Sequence, residues 1–424
     1  MEKIPQADMA SRSVPWYREI TSKQWKTLVA ASTGWMLDAM DVTLYAMIIV
    51  YIMADLQMTQ STAGLLASLT LLSSAFGGLI FGMIADKKGR TTALMISMIV
   101  FSLFTALGGF SQSVTQLAVA RLIVGLGMGG EWVAGAALIT ESWPAKHRGK
   151  AMGLVQGSWA IGYGLAAIIA GLVLPTFGWR GVFFVGIIPA LFAIWVRLGT
   201  DEPDIWVEKQ KEAEKTNTKE KGSLVKLFDK KVRRWTILGS VLSICAQFGY
   251  WGLFTWIPTY LATPVEKGGA GLDLMKQTSW IVIMQVGAWL GYVIFGLLAD
   301  KIGRKITFIL FFALAAVLVP LYGFTHDPGK LLLLGPLVAF FGSGYFSGFG
   351  AVLAELFPTA IRATGQGFCY NFGRAVAASA PFTIGVLATT MGLGVAFSIT
   401  SVAFGLAAVL VLLFLPETKG KELV

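Results

Sequence analysis

The chain is 424 residues long, 55% hydrophobic and only 14% charged, with a mean hydropathy of +0.68 and a net charge of +10. A soluble domain of this size carries about 25% charged residues, so the composition points to a membrane protein, and no nucleophile–base constellation of an enzyme is evident. The positive charge does not read as a nucleic-acid surface either, because its lysines and arginines alternate along the chain in the pattern of membrane topology.

Residues 1–24 form a polar tail with Lys3, Arg12, Arg18 and Lys23, unlike a cleavable signal peptide. Twelve apolar runs follow, at 25–51, 61–85, 91–110, 114–138, 149–173, 179–198, 235–261, 277–299, 305–324, 331–354, 364–388 and 391–415. Each is close to the length that crosses a bilayer as a helix. Of 34 Lys and Arg, 28 fall in the tails and alternate loops on one side. Four (Arg180, Lys267, Lys276, Lys330) fall on the other, and two (Arg121, Arg374) within spans. The positive-inside rule then places both termini in the cytoplasm. Cys245 and Cys369 sit in different apolar spans and read as core residues.

The first span holds GWMLDAMDVTLY, Gly34 to Tyr45, with Asp38 and Asp41 near its centre. At 3.6 residues per turn, Gly34, Asp38, Asp41 and Tyr45 share one face. An ionised side chain at the bilayer midplane costs at least ~3 kcal/mol, so such groups usually line a polar cavity. Burial also favours the protonated form of a carboxyl group, which suits it to carry a proton. The plainer alternative is a pair of structural acids tied to backbone or hydroxyls; a functional cavity is the stronger reading.

An internal repeat orders the remainder. GMIADKKGR (Gly82–Arg90) recurs as GLLADKIGR (Gly296–Arg304), and ESWPAKHRGKAMG (Glu141–Gly153) as ELFPTAIRATGQG (Glu355–Gly367). Both recur at one offset, 214 residues, so the chain divides into two parallel halves. The expected organisation is a cytoplasmic tail (1–24), a six-helix bundle (25–198), a hydrophilic linker (199–234), a second six-helix bundle (235–415) and a tail (416–424). The linker has a short surface helix expected around Leu224–Phe228.

Span 4 carries RLIVGLGMGGEW, Arg121 to Trp132. With no strand before it, this glycine run is not a phosphate cradle but a close helix-packing face. Arg121 and Glu131, separated by ~15 Å of helix rise, cannot pair with each other. Glu131 reads equally as a proton stop or a structural partner. In span 5, Gln156, Trp159 and Tyr163 are cavity candidates, as are Gln247, Tyr250, Trp251 and Thr255 in span 7, which has Pro258 near its outer end. Span 11 carries YNFGR, placing Tyr370, Asn371 and Arg374 on one face. A buried guanidinium suits a carboxylate, whether of a substrate or of Asp38 or Asp41. His147 and His326 lie in loops and no metal-ligand cluster is evident, so no cofactor is implied and proton carriage falls to carboxylates.

The duplicated G-x-x-x-D-K-x-G-R loops resemble the signature of the major facilitator superfamily, and the likeness covers nearly the whole chain. The resemblance implies an all-α membrane protein, twelve transmembrane helices in two pseudo-symmetric six-helix bundles, working as a monomer in a bacterial inner membrane. Gly89 and Gly303 then supply tight turns. Asp86 and Asp300 accept bonds from a helix N-terminus or an arginine and latch the cytoplasmic gate, while Arg90 and Arg304 either join that latch or only fix topology. E-x-x-P-x-x-x-R, putting Glu141 near Arg148 and Glu355 near Arg362, looks like the cytoplasmic charge network of metabolite-carrying members. PETKG (Pro416–Gly420) resembles the end of the last helix in sugar porters.

Arg121 matches an arginine of many proton-coupled members, and the G-P-x-x-G-G motif of drug antiporters is missing from GSWAIGYG, Gly157 to Gly164. G-W-x-L-D-x-x-D, G-G-E-W and Y-N-x-G-R together look like sialate and monocarboxylate:proton symporters. Aromatic-acid:proton symporters are similar, with Gly where this chain has Ala39. The resemblance therefore implies uptake of a small organic anion with protons. Asp38, Asp41 and Glu131 would couple protons. Arg374, Asn371, Tyr370, Tyr45, Arg121, Gln247, Tyr250, Thr255 and Gln156 would contact substrate. A sugar or neutral-metabolite porter is the alternative, and a membrane sensor a more distant one.

Overall fold

The computed structural model describes residues 16–144, 147–203, 206–208, 224–358 and 361–418. Over these, all regular structure is helical, as expected where lipid offers backbone groups no hydrogen bonds and each segment must satisfy its own. The first half holds α1 (Ser22–Asp55), α2 (Gln60–Lys88), α3 (Arg90–Gly108), α4 (Val114–Ser142), α5 (Arg148–Val185) and α6 (Ile188–Gly199). The second holds α7 (Arg233–Phe254), α8 (Ile257–Ala262), α9 (Leu274–Ile302), α10 (Arg304–Gly323), α11 (Pro328–Ser343), α12 (Phe346–Leu356), α13 (Arg362–Ala377), α14 (Ser379–Met391), α15 (Leu393–Ser398) and α16 (Thr400–Phe414).

Among the described residues, eleven runs are long and apolar enough to cross a membrane. One of them, Arg148–Ala193, has 46 residues and folds back at Gly178 (φ 65°), giving two passes. In the second half, α7–α8, α11–α12, α13–α14 and α15–α16 are single passes interrupted near their middles or ends; Pro258 stands in the first turn of α8. The passes match the twelve expected runs to within a few residues, except that α5 continues well beyond 173. Leu224–Phe228 forms a short 3-10 turn, but it is not wholly at the surface: Leu227 is buried and its carbonyl accepts from Thr236 Oγ1 at 2.8 Å.

Where helices begin shows how the sequence sets the boundaries. Thr59, Ser113, Asp273 and Asp327 each precede a helix and accept from the backbone N–H three residues on, satisfying donors the helix itself leaves free. At the start of α3 and α10 the capping positions are Gly89 and Gly303, with φ of +109° and +101°. Glycine tolerates that backbone but supplies no cap. Glu202, just past α6, takes the role for α3, accepting from the N–H of Arg90 (2.6 Å), Thr91 (3.2 Å) and Thr92 (3.2 Å). Glu417, just past α16, does the same for Arg304 (3.0 Å) and Lys305 (3.2 Å). A carboxylate at a helix N-terminus also meets the positive end of the helix dipole.

The α4 glycines pack as a small-residue face should. A Cβ on Gly125 or Gly129 would collide with Ser73, Thr70 or Ser74 of α2, one on Gly130 with Phe81 of α2, and one on Gly127 would sit 2.7 Å from the Phe101 backbone of α3. α4 is thereby clamped between its two neighbours. Large apolar side chains such as Leu79, Leu172, Leu297, Leu333 and Leu412 point outward, where lipid would cover them.

The halves meet through α2 with α14 and α13, α5 with α9, and α1 with α8. The basic residues Lys87, Lys88, Arg90, Lys150, Lys301 and Arg304 mark one end of the molecule, the basic end. Toward the opposite end the contacts are tight. The Phe382 N–H donates to Ser68 Oγ (3.1 Å), Thr278 Oγ1 donates to the Ala167 carbonyl (3.4 Å), and a Cβ on Gly64 or Gly385 would strike the other half's backbone. These contacts close the molecule at the far end.

Candidate substrate and proton site

Among the described residues, five acidic or basic side chains are buried between these helices, Asp38, Asp41, Arg121, Glu131 and Arg374, none more than 2% exposed. Shared placement on one stripe of α1 does not give the two aspartates a shared environment. Asp41 turns toward the outer helices: its Oδ2 accepts from Thr105 Oγ1 of α3 at 2.5 Å, and its Oδ1 lies against Gly186 after α5. Its nearby cation is Arg121. Asp38 instead interacts across the halves with Arg374 of α13.

Glu131 joins Asp38. Its Oε1 would be 2.6 Å from a Cβ on Gly34, so the absence of a side chain there makes room for the carboxyl group. Both Glu131 oxygens lack a hydrogen-bond partner, and the group interacts with Asp38 and Arg374. Sequence spacing separates Arg121 from Glu131 correctly, and each engages a different aspartate. The Asp38–Asp41 pair is not the only acid pair near mid-helix; Asp38 and Glu131 around one arginine form a second.

Two chambers lie along the interface. The near chamber is lined by Trp35, Gln156, Trp159, Tyr292, Tyr370 and Arg374. The far chamber is lined by Thr43, Tyr45, Arg121, Tyr163 and Thr255. Tyr250 and Trp251 of α7 border both. Trp159 Nε1 donates to Tyr250 Oη at 2.6 Å, and Tyr163 Oη donates to the Phe254 carbonyl at 2.7 Å. These two bonds, one turn apart, fasten α5 to α7 across the halves. In the near chamber the Arg374 Nε has no partner, while its guanidinium carbon is 5.8 Å from the Tyr370 ring centre.

The expected substrate contacts divide. Arg374, Tyr370, Gln156, Tyr250, Thr255 and Arg121 line a chamber. Tyr45 does so by its ring, since its hydroxyl donates to the Ala63 carbonyl at 2.9 Å. Asn371 and Gln247 line neither. Asn371 Nδ2 donates one turn back to the Gly367 carbonyl at 3.0 Å, with Oδ1 packed near Gly78 of the other half. Gln247 Nε2 donates to the Tyr370 carbonyl at 2.9 Å and ties α7 to α13. Trp35 and Tyr292 were not singled out by the sequence. Trp35 has ring centres of Trp132 and Trp159 at 4.7 and 4.6 Å and an unpartnered Nε1. Tyr292 sits in an unbroken apolar run that offered no signal.

At the basic end, Arg90 is the hub. It donates to both oxygens of Glu141 (Nε 3.0 Å, Nη2 2.8 Å) and to Asp86 (2.7 Å). Arg304 pairs with Glu355 at 2.8 Å. The expected neighbour of Glu141, Arg148, donates instead to the Trp143 carbonyl at 3.0 Å, while Arg90 takes both Glu141 oxygens. Arg362 opens α13, and its side chain lies outside the described residues, as do residues 419–424 of the tail. Asp86 pairs with Arg90 of its own half, and Asp300 is exposed.

A helical, multi-pass membrane protein with buried charges between two repeated halves has the architecture of a carrier. The sequence model of the Major Facilitator Superfamily matches residues 31–272 and 268–423, and the chain belongs to that superfamily. It is 34% identical over 404 residues to the cis,cis-muconate transport protein of Acinetobacter baylyi, covering 94% of this chain and 96% of that one. It is 30% identical over 411 residues to the sialic acid transporter NanX of Escherichia coli, covering 96% and 97%. Among solved structures, the inward-open xylose transporter XylE of E. coli superposes with a TM-score of 0.76 at 20% identity, over 94% of this chain and 98% of that one.

Proposed function

We propose that this protein is a proton-coupled symporter that takes up a small organic acid anion by alternating access. The observation that carries the reading is Arg374, buried at the junction of the halves, with an unpartnered Nε facing a chamber and two carboxyl groups, Asp38 and Glu131, beside it. A scaffold has no use for such an arrangement, since each buried unpaired ion is costly. A carboxylate entering the near chamber supplies Arg374 with a bidentate partner. It thereby draws the guanidinium from Asp38 and Glu131, which then hold protons more readily because a like-charged neighbour remains and the compensating cation is occupied. The loaded, neutralised interface can close around the ligand. The names of the muconate and sialic acid relatives support an acid rather than a neutral sugar.

The bundles, residues 25–198 and 235–415, rock about the site. The basic end faces the cytoplasm of a bacterial inner membrane with both termini, by the positive-inside rule, and one copy contains both chambers and works as a monomer. The test is uptake into proteoliposomes of lactate, sialic acid, benzoate, muconate and hexoses, with and without an inward-acidifying pH gradient. Gradient-driven acid uptake that Arg374→Ala abolishes is expected. Saturable hexose uptake with no response to any acid would overturn the reading.

A further inference from the structure

Arg121 lines the far chamber, apart from the centre formed by Arg374. It is 2% exposed, its guanidinium carbon stands 4.7 Å over the Tyr45 ring, and neither Nε nor Nη1 has a hydrogen-bond partner. Asp41 is its nearby acid, but Thr105 holds one Asp41 oxygen and Gly186 abuts the other. A buried guanidinium with free donors lacks acceptors it would have in water. Arg374 is in the same condition in the adjoining chamber. Arg374 interacts with Asp38, and Arg121 with Asp41 and the Tyr45 ring further along α1, so the two cations stand at successive levels along the path. The space between them is bounded by the rings of Tyr250 and Trp251, shared by both chambers.

We propose that the two chambers hold a single dicarboxylate with a flat, unsaturated middle, one carboxylate on Arg374 and the other on Arg121. The proposal rests on the organic-anion reading and adds the class of acid. A planar conjugated chain presents faces to the aromatic walls, and its second carboxylate satisfies the donors of Arg121 that a monocarboxylate leaves free. Arg121 is thus a specificity-determining contact, distinct from the primary anchor.

The test compares two acids that share a diene chain and differ in one carboxylate, cis,cis-muconate (hexa-2,4-dienedioate) and sorbate (hexa-2,4-dienoate), by calorimetry on the purified protein. The dicarboxylate is expected to bind at least about tenfold more tightly, the size of one charge-assisted bond. Arg121→Gln is expected to cost the dicarboxylate more affinity than sorbate and so to erase that preference, and Arg121→Lys to retain part of it. Equal affinities in the wild type, or equal loss of both ligands in Arg121→Gln, would overturn the proposal; if that variant fails to fold, the wild-type comparison decides alone. Sorbate binding that needs Arg374, with nothing gained from the second carboxylate, sinks this proposal and spares the organic-anion reading. Binding of a hexose and of neither acid sinks both.

Discussion

Tyr163→Phe removes the hydrogen bond to the Phe254 carbonyl, and Trp159→Phe removes the one to Tyr250 Oη. Both bonds cross the halves, on the side of the interface that must separate when the far end opens. Each therefore stabilises the far-end-closed state relative to its alternative. A neutral buried hydrogen bond contributes about 1 kcal/mol net, so each substitution shifts the conformational equilibrium about fivefold toward the far-end-open state. The double variant shifts it about thirtyfold if the neighbouring sites add. Spin labels at Phe177→Cys on α5 and Met275→Cys on α9, at exposed positions on the far end of each half, report the separation by pulsed dipolar spectroscopy. Cys245 and Cys369 are buried and do not compete for label. The short-distance population should fall in each single variant and most in the double. An unchanged distance distribution in the double variant would refute the assignment of these bonds as the far-side fastening.

Arg374→Lys should recover little of the uptake lost in Arg374→Ala, because an ammonium cannot form the planar fork; equal uptake by Lys and Arg would show that a point charge suffices. Glu202→Gln removes the charge capping the start of α3 and should lower stability by about 1 kcal/mol with uptake per folded molecule little altered, as followed by thermal unfolding in detergent. An unchanged melting temperature would make the carboxylate dispensable. Asp41→Asn should keep more of the proton-driven accumulation than Asp38→Asn, since Asp41 is bonded to Thr105 and away from Arg374. The reverse ranking would put the proton on the Arg121 side.

The helices and their pairing in halves were readable because bilayer length, positive-inside charge and one repeat offset all constrain the same pattern. Turn glycines 89 and 303 were readable too, from the repeated loop motif, and both have a positive φ. What the sequence could not give were partners fixed by tertiary approach. Glu202 and Glu417 act on helices more than a hundred residues away. The two aspartates look equivalent on a helical wheel, yet α3 and α13 approach different sides of α1 and separate them. Asn371 and Gln247 are polar residues in apolar spans, which marks them as candidates, but their donors are taken by backbone carbonyls. Trp35 was hidden by its apolar character, because only its position between two other tryptophans exposes its free N–H to the chamber.

The central claim is that Asp38 and Glu131 carry the proton and Arg374 the anion, and coupled uptake tests it most directly. In proteoliposomes with an imposed gradient of one pH unit, each coupled proton supplies about 1.4 kcal/mol, or about tenfold accumulation. Wild-type protein should accumulate muconate against its gradient by at least that factor. Asp38→Asn and Glu131→Gln should bring it only to equilibrium while still exchanging internal for external substrate, because the amide mimics the protonated acid. Accumulation by both variants as high as wild type would contradict the account and move the proton site elsewhere.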